Sequence, residues 1–215
     1  VSMINVTPDG QRTMATFLGA ASELTAADVD EDVVAAGSVV YLEGYLFDPP
    51  PAREAFAVAA RAAHAAGRTV AITLSDAFVV ERWRDELNAF LPEVDVLLAN
   101  AAEVMALTRA SDLDAALAAV GALVRIAAVT NGAEGSFVCY GGECTPVEAY
   151  PAERVVDTTG AGDQYAAGFL YGLSQGRSLD ACARLGHLAA AEVIAHVGPR
   201  PQTSLAELAR GQGLI

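Results

Sequence analysis

The sequence predicts an α/β fold in which helices flank a doubly wound, mostly parallel sheet, and three observations predict it. Short apolar runs alternate with helix-length segments from residue 24 onward. Connections of that length favour right-handed crossovers between parallel strands. A 53% hydrophobic content with only 19% charged residues supplies a core for these 215 residues, which excludes a disordered chain.

The first element is a predicted β hairpin over residues 1–18. Its β-type runs, 3–8 and 11–18, are separated by Pro8-Asp9-Gly10, a tripeptide in which proline presets φ and glycine supplies a positive φ. Later strands are predicted at the apolar runs 39–42, 70–74, 94–98 and 126–129. Further short β runs between 136 and 156, with a turn at Gly141-Gly142 and a last run at 154–156, predict antiparallel edge strands.

Helices are predicted between these strands and after them. A triple proline at 49–51 and Gly67 bound the longest of them, because proline is tolerated in a first turn and glycine ends a last one. The remaining predicted helices span 27–36, 81–90, 101–108, 112–122, 161–174, 178–195 and 203–209.

Charge, hydropathy and cysteine content exclude several classes of protein. A formal charge of −14 excludes a nucleic-acid binder that covers phosphates with a basic surface. The longest uncharged apolar runs, such as 33–42, are shorter than the ~18–20 residues of a membrane span, and no signal peptide is visible. Cys139, Cys144 and Cys182 form no zinc pattern, which predicts three free thiols in a reducing, cytoplasmic compartment.

One loop carries the strongest indication of chemistry. Asp157-Thr158-Thr159-Gly160-Ala161-Gly162-Asp163 precedes an apolar helix, and its glycines allow several amides to converge on an anion at the helix start. A carboxylate at Asp163 beside such a site suits deprotonation of a hydroxyl during phosphoryl transfer. The alternative is structural: Thr159 would cap the helix while Asp163 complements its dipole.

Other glycine motifs do not account for this loop. No Gly-x4-Gly-Lys-Ser/Thr occurs in the chain, so a P-loop is excluded. The glycine that follows Gly162 is Gly168, several positions too late for a dinucleotide fingerprint. A dinucleotide-dependent oxidoreductase is therefore disfavoured.

Three motifs together resemble the ribokinase-like (PfkB) kinases. The loop 157–163 followed by Ala166-Ala167-Gly168-Phe169 is similar to the signature near the carboxyl end of that family. Asn100-Ala101-Ala102-Glu103 resembles its Asn-x-x-Glu element, and Thr130-Asn131-Gly132-Ala133-Glu134-Gly135 its Thr-x-Gly-x-x-Gly nucleotide loop. The three occur in the family's order. The stretches 74–100 and 185–190 resemble the adenosine kinase branch more than ribokinase proper.

The resemblance implies a role for each matching residue. Asp163 would be the base for the acceptor hydroxyl, and the backbone of Gly160, Ala161 and Gly162 would stabilise the transferring phosphoryl group. Glu103 would help organise Mg²⁺. The residues implied to bind the nucleotide are Asn100, Glu103, Thr130, Gly132, Gly135 and His187. Arg12 would face the phosphates, and Asp157 and Thr159 fall where relatives bind a monovalent cation such as K⁺.

The sequence also departs from the family pattern. Asn131 stands where many relatives carry a longer polar residue, so nucleotide preference stays open. The family's amino-terminal portion, which holds the sugar hydroxyls with an acid and a Gly-Gly pair, has no counterpart here. Either the chain is a carboxyl-terminal piece of a longer kinase, or residues before Val1 are missing from the sequence. The hairpin of residues 1–18 would contribute to a lid and to the edge of the sheet.

The resemblance implies an enzyme, an ATP- and Mg²⁺-dependent kinase that phosphorylates a primary hydroxyl of a nucleoside, with adenosine as the first expectation. Two alternatives stay open: a sugar kinase of the same family, similar to ribokinase or fructokinase, and a non-catalytic nucleotide-binding or regulatory protein. The partner is then a small molecule rather than nucleic acid or membrane. A homodimer is the assembly that the unpaired edges of the hairpin would permit.

Overall fold

The computed structural model describes all 215 residues and confirms the predicted α/β fold. Its strands are β1 Ser2–Val6, β2 Arg12–Thr16, β3 Val39–Glu43, β4 Thr69–Thr73, β5 Val96–Asn100, β6 Ile126–Thr130, β7 Ser136–Tyr140 and β8 Glu143–Val147. Its α-helices are α1 Glu31–Ala36, α2 Pro50–Ala65, α3 Ala77–Phe90, α4 Ala101–Thr108, α5 Leu113–Leu123, α6 Ala161–Ser174, α7 Leu179–Ile194 and α8 Leu205–Gly211.

A six-stranded sheet in the order β3-β4-β5-β6-β7-β8 organises the fold. The pairs from β3 to β6 are parallel. The connections from β6 to β7 and from β7 to β8 are too short for a crossover, so these pairs run antiparallel. The predicted antiparallel edge is thus confirmed, and the carboxyl ends of β3 to β6 open on the same edge of the sheet.

The hairpin at the amino-terminal end forms a separate two-stranded antiparallel sheet. Its register pairs Ser2 with Thr16 and Val6 with Arg12, and every residue of both strands is exposed. The turn lies at residues 8–10, where Gly10 adopts a φ of +79°. The predicted hairpin is confirmed.

Three predicted elements differ from the structure for a reason found in hydrogen bonding, while the other bounds shift by at most two residues. Residues 154–156 form no strand, because the Val156 amide donates to the carbonyl of Ile194 (2.8 Å) at the end of α7. Helix α3 begins at residue 77 rather than 81, because the Asp76 side chain accepts from the Phe78 amide. Helix α1 begins at residue 31 rather than 27, because Asp30 caps it after a short 3₁₀ turn.

The prediction of three free thiols is wrong. Cys139 and Cys144 form a disulfide, and only the buried Cys182 is free. The Gly141-Gly142 turn places the two residues on the facing strands β7 and β8, where their Cα atoms lie 3.9 Å apart. An odd cysteine count without a metal pattern gave no indication of this pairing, which depends on strand register.

The chain divides into two compact units. The first comprises residues 1–18, 132–136 and 146–215, and the second residues 19–131 and 137–145. The second unit holds the larger apolar core, in which Ile72, Leu74, Leu87, Leu91 and Leu97 are fully enclosed. No helix is both long enough and apolar enough to cross a membrane.

Candidate active site

The loop Asp157–Asp163 leads into α6 through a backbone conformation that requires glycine. Gly160 occupies the N-cap with φ +80°, and a Cβ atom there would lie 2.6 Å from Cβ of Pro199. The Ala161 amide donates to Thr158 O, and the Gln164 amide begins the helical ladder by donating to Gly160 O. The amides of Gly162 and Asp163 have no acceptor in the protein, so two N–H groups of the helix itself remain available to an anion, and the Gly160 amide just before it is also without an acceptor. The prediction that the Ala161 amide takes part is wrong, because that amide is bonded to Thr158 O.

Asp163 lies in the first turn of α6, and its side chain is exposed. Its carboxylate makes no hydrogen bond or ion pair within the protein. The alternative in which Thr159 caps the helix is wrong, because Gly160 is the N-cap and no side chain caps it. A free carboxylate therefore lies in the same helical turn as two free amides, of which Gly162 was among those that the sequence predicted.

Asp157 is buried, and its carboxylate holds the loop in place through two hydrogen bonds. One carboxylate oxygen accepts from the Thr159 amide and the other from the Gly198 amide, both at 2.9 Å. Burial would raise the pKa of Asp157, but the Thr159 side chain, the Gly198 and Thr159 amides and the positive charge of Arg12 together hold it below its usual value. The Thr159 hydroxyl is buried beside this carboxylate and forms no well-aligned hydrogen bond, which costs free energy unless something binds it.

Arg12 reaches the same loop from the hairpin. Its Nη1 donates to the Thr158 hydroxyl at 3.2 Å, and that hydroxyl donates to the carbonyl of Gly10 at 3.1 Å. The Thr158 amide donates to the same carbonyl. The turn of the hairpin is thereby attached to the loop that carries Asp163.

In the second unit, Asn100 and Glu103 join the end of β5 to the start of α4 by a reciprocal capping box. The Asn100 side chain accepts from the Glu103 amide. In return, one Glu103 carboxylate oxygen accepts from the Asn100 backbone N at 3.0 Å, and the other accepts from Asn100 Nδ2 at 2.6 Å. Thr130 pairs with Asn100 across the ends of β5 and β6. The Asn-x-x-Glu motif is therefore both a helix cap and a polar group at a strand end.

Glu103 is buried, and its pKa is raised to about 7, chiefly by that burial. The nearby Asp76 and Glu43 carboxylates also raise it, whereas the hydrogen bond from Asn100 lowers it. The Ser75 hydroxyl, on a residue with φ +69°, donates to Glu43. The Asp76 and Glu43 carboxylates thus lie close enough to Glu103 to raise its pKa, although the three do not form a metal-binding group by themselves. A cation bound beside Glu103 would favour its charged form.

The two glycines of the 130–135 loop, Gly132 and Gly135, differ in how much space surrounds the Cα atom. Gly132 has φ +58° and open space around its Cα. Gly135 has φ +96°, and a Cβ atom there would lie 2.8 Å from the Ala149 amide nitrogen. Gly135 therefore permits a close approach of two backbone segments, and Gly132 a turn.

His187 is buried on α7, and its Nε2 lies 2.9 Å from the Ser136 hydroxyl. The predicted contact between His187 and a nucleotide stays a prediction, as do the other ligand contacts. Sequence reasoning missed Ser136, Thr158 and Gly198 as partners of the site residues. No sequence signal could have found them, because their partners lie 41 to 146 positions away.

These features define a class of protein: a parallel α/β sheet with polar groups beyond its strand ends, together with a glycine-rich helix start open to an anion. A family model described as pfkB family carbohydrate kinase matches residues 1–205. The chain belongs to this family.

Relatives agree with that assignment. The chain is 28% identical over 201 residues to adenosine kinase of Schizosaccharomyces pombe, covering 85% of this chain and 58% of that protein. It is 52% identical to the solved adenosine kinase from Sinorhizobium meliloti (TM-score 0.95; 98% of this chain, 65% of that one). It is 50% identical to a probable sugar kinase from Rhizobium etli CFN 42 (TM-score 0.97; 100% and 66%). The chain thus spans 58–66% of the length of these three proteins.

Proposed function

We propose that the protein is an ATP-dependent kinase that transfers the γ-phosphoryl group to a primary hydroxyl of a nucleoside, with adenosine as the first candidate. One observation carries the proposal: the free Asp163 carboxylate lies in the same helical turn as two amides that lack acceptors. Family membership supports the reaction class.

The nucleoside is favoured over a sugar by the relatives named as adenosine kinases, one of them 52% identical. A sugar acceptor is the second candidate, because a chain described as a probable sugar kinase is 50% identical. The fold and the phosphoryl-transfer residues serve either acceptor equally well.

In the proposed reaction, Asp163 takes the proton of the acceptor hydroxyl as its oxygen attacks the γ-phosphorus. The bond between that phosphorus and the β–γ bridging oxygen breaks, and ADP leaves. The amides of Gly162 and Asp163 donate to the non-bridging oxygens, whose charge they stabilise without rearranging. Arg12, attached to Thr158, adds a positive charge from the hairpin.

Magnesium fits the second unit. The protein offers no group of three or more His, Cys, Asp or Glu side chains that could hold a metal, and Mg²⁺ commonly binds through one or two carboxylates plus substrate phosphates. Glu103, with Asp76 and Glu43 nearby, would supply that charge. When bound, Mg²⁺ neutralises charge on the phosphates.

A monovalent cation fits the loop of α6. The Thr159 hydroxyl is buried and forms no well-aligned hydrogen bond, and the Asp157 carboxylate, which could balance a cation, is buried beside it. Asp157 and Thr159 would hold such an ion, K⁺ being the candidate, and it would add positive charge near the anion-binding amides.

The experiment is an acceptor-dependent ADP release assay with the wild-type chain, ATP and Mg²⁺, run in parallel with adenosine, cytidine, ribose and fructose. Each reaction is repeated with K⁺ replaced by choline at equal ionic strength. We expect turnover with a nucleoside at least tenfold above the sugars, and more in K⁺. Faster turnover with a free sugar would make the sugar, rather than the nucleoside, the proposed acceptor. If no compound causes acceptor-dependent release of ADP, the non-catalytic alternative is favoured.

A further inference from the structure

Three buried side chains of the first unit form a continuous polar chain. Tyr165 Oη donates to Ser136 Oγ at 2.9 Å, and Ser136 Oγ lies 2.9 Å from His187 Nε2. His187 also has a hydrogen bond to the Val147 backbone. The exposed fractions of Ser136, Tyr165 and His187 are 1%, 3% and 7%, so water does not compete for these groups.

We assign the protons of this chain from the groups that face the His187 ring. The Val147 backbone favours the protonated ring, as a carbonyl acceptor does, so the His187 proton is assigned to Nδ1. In the neutral ring Nε2 then accepts, and Ser136 donates to it. Ser136 in turn accepts from Tyr165. Burial, opposed only by the Val147 bond, lowers the His187 pKa to about 4, which keeps the ring in this neutral tautomer.

Two members of this polar chain adjoin residues of the proposed site. Ser136 directly follows Gly135, whose Cα packs against the 147–149 backbone. Tyr165 lies two residues after Asp163 in α6. Its ring packs edge-on against His187, with centroids 5.0 Å apart. The hydrogen bonds therefore join the end of the 130–135 loop to the first two turns of α6.

Close packing between α6 and α7 also holds Tyr165 in place. A Cβ atom on Gly186, next to His187 in α7, would lie 2.7 Å from Tyr165 O and 2.8 Å from its ring. Tyr165 thus packs directly against the backbone of α7, with its hydroxyl donating to Ser136. Because buried donors left without acceptors are costly, any displacement of the 132–136 segment relative to α6 is opposed.

We propose that Ser136, Tyr165 and His187 are positioning residues, which fix the Gly132–Gly135 loop relative to the helix start that carries Asp163. This inference rests on the proposed function, since it assigns the loop to a nucleotide. His187 then acts through Ser136 rather than by touching the ligand. The three residues touch no reacting atom.

The first test measures nucleotide binding by calorimetry with ADP and MgCl₂ for the wild-type chain, Ser136→Ala and Tyr165→Phe. Removal of the Ser136 hydroxyl leaves the Tyr165 hydroxyl and His187 Nε2 unpartnered, so we expect Kd to rise about tenfold, which corresponds to about 1.4 kcal/mol. Tyr165→Phe keeps the ring and removes one donor, so a rise of about threefold is expected. Tyr171→Phe, on the exposed face of α6, is the matched control and should leave Kd unchanged.

The second test needs no ligand. Hydrogen exchange of the Gly135 amide, which donates to Gly132 O at 3.3 Å, should be at least fivefold faster in Tyr165→Phe than in the wild type or Tyr171→Phe. Global stability from urea unfolding is measured for each variant, and exchange is compared at equal stability. If Ser136→Ala does not fold, Tyr165→Phe decides.

The outcomes separate the two proposals. A wild-type chain that binds no ADP contradicts the proposed function, and the exchange result still judges the positioning role. Variants that lose only stability, with Kd and Gly135 exchange unchanged, would make the hydrogen-bond chain purely structural and overturn the inference.

Discussion

At the scale of single residues, the buried carboxyl of Glu103 links pH to stability. Its pKa in the folded protein is raised to about 7 from 4.5, chiefly by burial. The unfolded carboxyl therefore loses its proton at lower pH than the folded one. Stability associated with this group is fully present below about pH 4.5 and is lost as the pH rises to about 7.

Glu103→Gln removes this titration. Between pH 5.5 and pH 8 we expect the free energy of unfolding of the variant to gain about 2 kcal/mol relative to the wild type. Urea unfolding at several pH values measures it, and Glu143→Gln at an exposed site of β8 is the control. A difference between Glu103→Gln and wild type that does not change with pH would show that the Glu103 carboxyl has a normal pKa in the folded chain.

At the scale of elements, α6 and α7 approach each other through glycines. A Cβ atom on Gly168 would lie 2.6 Å from the carbonyl carbon of Leu185, a backbone atom that cannot move aside. The same closeness lets Tyr165 stand beside Gly186. Helices α6 and α7 thus pack backbone against backbone, with little side-chain volume between them.

Gly168→Ala should therefore destabilise the protein, although alanine is the better helix former by about 1 kcal/mol. We expect a net loss of about 1–3 kcal/mol from overpacking, measured by urea unfolding. Gly211→Ala, in open space at the end of α8, is the matched control and should lose nothing. Equal stability of the two variants would mean that the helices separate at no cost.

Many of the strands, helices and loops were predictable from the sequence. Turn residues and apolar runs predicted the strands and the order of helices, because these signals are local. The Asp157–Asp163 loop was predictable for the same reason, whereas Asn100–Glu103 was singled out by its resemblance to a motif of the family. The Ser136–His187 contact and the Cys139–Cys144 disulfide were not, since each depends on how distant or facing strands and helices meet. The absent strand at 154–156 shows the limit of an apolar run, whose backbone found partners in α7 instead.

At the scale of the whole molecule, each compact unit carries its own part of the predicted machinery. The first holds Asp163, Arg12 and Asp157, and the second holds Asn100 and Glu103. A formal charge of −14 opposes a polyanionic nucleotide, so the proposed activity depends on a few positive groups, which we propose are the amides at the start of α6, Arg12 and cations that bind with the nucleotide. This balance makes the start of α6 central to the proposed activity.

The most direct test of the account is therefore Asp163→Asn, assayed with ATP, Mg²⁺ and the preferred acceptor. The amide keeps the shape and cannot accept the hydroxyl proton, so kcat should fall by about 10²–10⁴, while the Kd for ADP changes less than about threefold because the free backbone amides remain. Turnover equal to the wild type would contradict the account, since Asp163 would then have no part in phosphoryl transfer.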